Sequence, residues 1–137
     1  MARDEKLAHL KRVPLFANFG RHELERLGQL ADEIEVGLDQ VLTQQGHTGH
    51  EFFVVLDGRL TVLDGNRPVA QMGPGDFFGE IALLDGRPRT ATVRADGITQ
   101  LLVIGHREFH ALMDEFPSVR TAVLEAVAAR LRRTEGA

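Results

Sequence analysis

The chain contains no cysteine. That excludes disulfides, thiolate metal sites and a cysteine nucleophile. Tryptophan and tyrosine are missing too, so any aromatic stacking onto a ligand falls to the eight phenylalanines. No apolar run approaches the roughly 18 residues that a membrane-spanning helix needs. The opening stretch MARDEKLAHLKRV has no apolar centre suited to a signal peptide. A basic excess is lacking as well: 16 Lys and Arg against 20 Asp and Glu leave a net charge of −4. That balance argues against a nucleic-acid-binding surface or a polybasic membrane anchor, while allowing a local basic pocket. A soluble, cytoplasmic protein is the expectation.

What is present is ordinary for a globular chain. Hydrophobic residues make up 43% and charged residues 26% of 137 residues, enough for one domain with its own core. No internal repeat, low-complexity tract or long linker divides it. The first third reads as helical: Leu7 and Leu10 share a helix face that Pro14 stops. PLFANFG then reads as a tight apolar connector, and Leu24, Leu27 and Leu30 repeat at helical spacing. From Glu33 the character changes to short runs rich in Val, Leu and Phe, with Asp57-Gly58 and Asp64-Gly65 as turn-forming pairs between them. Many short strands with regular turn signals imply an antiparallel β-sandwich or jelly roll, with IALLDG interrupting it as a single helical turn. Helices return at the end. Phe109, Leu112 and Phe116 mark one face, Pro117 separates the last segment, and Val119, Val123, Val127 and Leu131 step by four along another. The expected order is helices over 1–31, a β-roll over 32–105 and helices over 106–137, in one domain.

The chemistry concentrates in GDFFGEIALLDGRPRTATVRA, residues 75–95. Gly79 and Glu80 follow a strand-like run, and Arg89 opens the β-branched run beginning at Thr90. An acceptor, a fixed cation and backbone donors around one small loop suit a ligand carrying both hydroxyls and a phosphate. The segments Phe78-Gly79-Glu80-Ile81-Ala82-Leu83-Leu84 and Pro88-Arg89-Thr90-Ala91-Thr92-Val93 resemble the phosphate-binding cassette of cyclic-nucleotide-binding domains. The flanking helices and the roll agree with that family, so the resemblance covers essentially the whole chain.

The resemblance implies a sensor that binds a cyclic mononucleotide and reports binding by rearranging its C-terminal helix. Arg89 would be the counterion of the cyclic phosphate, because a guanidinium stays charged and offers paired donors. A short helix beginning at Ile81 and Ala82 would aim free N–H groups at the same phosphate. Gly79 would permit close backbone approach. Glu80 would accept from the ribose 2′-OH and so reject 2′-deoxy ligands. Thr90, beside Ala91, adds a hydroxyl for the phosphate or a base edge. Val62 and Val69 resemble positions that line the base pocket, and they also read as ordinary core valines. Arg130, Leu131 and Arg132 are the candidates to close over the base. The ligand expected is cAMP, with a cGMP-selective sensor as the alternative on account of Thr90; no further cofactor is expected.

A rival from another class is a cupin-type metal-dependent enzyme, suggested by His47, His50 and Glu51 in GHTGHE. It lacks the His-x-His pair, and Phe77 and Phe78 stand where a further ligand belongs; a transition-metal site needs three or four converging ligands. His106 and His110 also have metal-compatible spacing, and a solvated helix face explains them as well. No nucleophile–base set and no second Gly-rich nucleotide loop appears, so catalysis is not expected. A DNA-recognition segment is not expected either. Output would pass to a second copy of the chain, or to an effector protein, through the C-terminal helix.

Overall fold

In the run EFFVVLD every residue between Glu51 and Asp57 is buried, which only a strand covered on both faces produces. The computed structural model, which describes residues 7, 8, 10–79 and 88–134, shows what covers it. Eight strands are present among these residues: β1 (Asp32–Val36), β2 (Val41–Thr43), β3 (Glu51–Asp57), β4 (Leu60–Asp64), β5 (Arg67–Met72), β6 (Phe77–Phe78), β7 (Thr92–Ala95) and β8 (Thr99–Gly105). They form two four-stranded sheets, ordered β1-β8-β3-β6 and β2-β7-β4-β5. Every pairing is antiparallel.

Side chains alternate along a strand, so the central strands of the first sheet feed two cores. Phe53, Val55 and Leu101 point into the roll, where they meet Leu60, Phe78, Val93 and Ala95. Phe52, Val54, Leu56, Leu102 and Ile104 point the other way, into a core completed by helices. Among the helices are α1 (Arg21–Leu30), α2 (His106–Glu115) and α3 (Pro117–Thr134). Leu24 and Leu27 of α1 and Phe109, Leu112 and Met113 of α2 are the buried positions, at the three- and four-residue spacings of a single helix face. Phe52 stacks on Phe109 with centroids 4.9 Å apart, tying sheet to helix. Pro117 opens α3, where a missing N–H costs nothing.

The expected antiparallel roll with flanking helices is what the chain forms. Local expectations gain detail. The connector PLFANFG holds a 3-10 turn, Pro14–Phe16, because Pro14 sets the first φ and the turn buries Phe16. Asp64-Gly65 does close a hairpin, with Asp64 opposite Arg67. Asp57-Gly58 instead forms a corner, since β3 and β4 lie in different sheets. The helical turn expected at IALLDG lies outside the described residues.

Candidate functional site

Arg89 is one of very few buried charged or polar side chains among the described residues, at 7% exposure. A guanidinium cannot be taken out of water without hydrogen-bonding partners. Among the described residues its nearest partners are backbone. Nη2 donates to the main-chain oxygen of Glu51 at 2.7 Å, and Nη1 to that of Gly79 at 3.1 Å. The Glu51 carboxylate stands 3.9 Å away but is half exposed, so solvent screens it. The Arg89 main chain is fixed as well: its N–H donates to His47 O at 2.8 Å, and its oxygen accepts from Gly46 N at 2.9 Å.

Two glycines make room for this side chain. A Cβ on Gly49 would overlap the guanidinium itself. Gly79 holds φ at 93°, and a Cβ there would lie 2.7 Å from both Arg89 Nη1 and Glu51 O. Neither position accepts a side chain without moving the cation, and only Gly79 is also conformationally restricted. Beside the guanidinium opens a cleft of about 300 Å³, bounded by Leu42 and Thr43 of β2, by His47 and Thr48, and by Glu51. Thr43 Oγ1 donates to Ala91 O at 3.2 Å and Gln45 N to Thr92 Oγ1 at 3.0 Å, which pins this wall to the start of β7. A planar cation with a fixed orientation at the wall of a polar cleft is built to face an anion with two equivalent oxygens.

The expected site residues are distributed as follows. Gly79 and Arg89 are in direct contact. Thr90 is exposed and Ala91 half-buried on the approach to β7. Val62 is half-buried against the roll core. Val69 is 52% exposed on edge strand β5. It is the extra residue of a bulge, between Ala70 opposite Val62 and Pro68 opposite Leu63. Reading both valines as ordinary core therefore fails for Val69, which lies on an edge strand exposed from Arg67 to Gln71. Glu80, Ile81 and Ala82 lie outside the described residues.

Sequence reasoning missed the contribution of GHTGHE. His47 and Glu51 act on Arg89 through their carbonyls, and Gly49 through having no side chain. Two glycines three residues apart before a strand were the available signal. The metal reading of this run finds no support, since no three ligating side chains converge among the described residues. His106 and His110 meet edge to face at 4.5 Å on a half-buried stretch of α2, so theirs is not a simply solvated face. At the far end of the chain, the Arg130 guanidinium lies 4.0 Å over the Phe77 ring and donates to the Phe77 main-chain oxygen. Arg132 is exposed.

Known proteins resemble this chain in sequence and fold. The family model for the cyclic nucleotide-binding domain matches residues 33–116. A cyclic nucleotide-gated potassium channel of Rhizobium etli is 33% identical over 111 residues, covering 81% of this chain and 31% of the channel. The cAMP-dependent protein kinase regulatory subunit of Dictyostelium discoideum is 29% identical over 111 residues, covering 75% of this chain and 34% of the subunit. The chain thus spans about a third of the length of these curated relatives. Among solved structures, the regulatory domain of Toxoplasma gondii PKA crystallised with cAMP superposes with a TM-score of 0.79 at 25% identity, covering 93% of this chain and 50% of that one. No helix among the described residues is long and apolar enough to cross a membrane. With a matched span of more than half its length and the buried arginine of the cassette in place, this chain belongs to the cyclic nucleotide-binding domain family.

Proposed function

We propose that the chain is a cAMP-responsive regulatory module, its residues 1–137 acting as one unit in the cytoplasm and without catalytic activity. The observation that carries this reading is Arg89, buried at 7% exposure and oriented by two carbonyls beside a polar cleft. A cyclic phosphate has one negative charge on two exocyclic oxygens, which matches the planar fork of a guanidinium. In this reading the Ile81 and Ala82 amides complete the phosphate shell, with Gly79 giving the backbone its close approach. Glu80 accepts from the ribose 2′-OH, and Thr90 and Ala91 edge the site. Val62 lines the base side, and the protruding Val69 extends that lining toward the rim. The preference for cAMP is supported by the relatives named for it. The exposed Thr90 hydroxyl favours cGMP as the second reading. Binding is reported by rearrangement of the far half of α3 to a second copy of the chain or to an effector protein.

Calorimetric titration with cAMP, cGMP and 5′-AMP tests this directly. The expected order is cAMP tighter than cGMP, with 5′-AMP far weaker because its dianionic phosphate has lost the ring geometry. A reversed order of the cyclic nucleotides selects the second reading, and no binding of either overturns both.

A further inference from the structure

Residues Phe77, Phe78 and Gly79 form a short strap between two arginines. On one side Gly79 O accepts from Arg89; on the other Phe77 O accepts from Arg130 of α3. The grip of Arg130 is double, since its guanidinium also covers the Phe77 ring at 4.0 Å. That ring in turn lies 5.8 Å from Phe52, which stacks on Phe109 of α2. Its strand pairing is short: β6 is two residues long and pairs with β3 through Phe53–Phe78 and Val54–Phe77, with the buried Phe78 ring stacked on Phe53 at 4.7 Å. A carbonyl that orients Arg89 is therefore positioned partly from a helix on the other side of the sheet.

We propose that Arg130 is a positioning residue for the anion site, fixing the strap and through Gly79 O the Arg89 guanidinium. The inference rests on the reading of Arg89 as the phosphate anchor. By linkage, whatever Arg130 adds to ligand affinity the ligand returns to the attachment of α3, so one contact serves both positioning and output. Arg130 has no direct part in holding the ligand in this scheme.

The test compares Arg130→Ala, Arg130→Lys and the control Arg107→Ala, at an exposed arginine of α2, in the full chain, with cAMP and cGMP as probes. Arg130→Ala should weaken the tighter cyclic nucleotide by roughly three- to tenfold, the size of a coupling carried through packed intermediates. Arg130→Lys keeps a cation over the ring and a donor for the carbonyl, and should recover part of the loss; Arg107→Ala should change nothing. Without any nucleotide, amide exchange at Phe77, Phe78 and Gly79 should be faster in Arg130→Ala than in the native chain. Native affinity in Arg130→Ala, or an equal loss in Arg107→Ala, overturns the proposal. A native chain that binds neither nucleotide sinks the functional reading instead. The nucleotide-free exchange then decides whether Arg130 positions the strap, and unchanged exchange rejects it.

Discussion

At the scale of single residues, the site is an arginine whose surroundings were chosen for shape as much as for charge. Arg89→Lys retains the charge but loses the fork, so cyclic-nucleotide affinity should fall by about one to two decades, the value of a charge-assisted bond of roughly 1.5–3 kcal/mol. Titration calorimetry on a variant with native thermal stability checks this. Gly49→Ala makes a sharper claim. Its methyl group takes the volume of the guanidinium, forcing Arg89 off both carbonyls. Affinity should drop at least as far as in Arg89→Lys, and folding stability by about 1–3 kcal/mol. Native binding by this variant would show that the guanidinium need not lie where the structure has it. For the ribose, Glu80→Gln should weaken binding and reduce discrimination against 2′-deoxy-cAMP. Arg89 and Gly79 were legible in the sequence because charge and glycine are local signals. His47 and Glu51 were not, since a main-chain oxygen acts without regard to the side chain that bears it.

At the scale of elements, the strands and helices followed from period and punctuation, and the surprises came where one element serves two neighbours. The last helix is an example. Its stripe of Val119, Val123 and Val127 was readable from spacing, but burial divides it: Val119 and Val123 are 1% and 2% exposed, whereas Val127 is only partly covered. The first half of α3 is thus core, and any ligand-driven rearrangement belongs to the half beyond it. Amide exchange should accordingly slow in Ala126–Thr134 on adding saturating nucleotide, while Val119–Val123 stays protected in both states. Equal exchange in the far half with and without ligand would leave α3 as static packing. The corner at Asp57-Gly58 was legible as a turn but not as a change of sheet, because a turn dipeptide specifies a local bend and says nothing about the strand's next partner.

At the scale of the molecule, ligand and fold are linked through the shared first sheet. A ligand at a hundred times its Kd adds about 2.7 kcal/mol to stability. For a chain of this size that should raise the melting temperature by on the order of 10 °C. Scanning calorimetry with cAMP should show this shift in the native chain and lose most of it in Arg89→Lys. Phe52→Ala, which empties the contact between sheet and α2, should cost about 3–5 kcal/mol. The roll architecture itself was readable, since alternating short strands leave few alternatives. The double burial of β3 has a consequence for how this fold finds its alignment. In most sheets a one-residue slip is punished by water, since it turns the apolar face outward. Here a slip would move Phe52 into the roll and Phe53 toward the helices, and both would remain dry. Polarity is silent on this choice. Alignment of β3 must be selected by volume, by the fit of alternate Phe and Val side chains into two differently shaped interiors, so that hydrophobic substitutions conserving polarity but exchanging size between neighbours should scramble the strand where a polar surface change would leave it undisturbed.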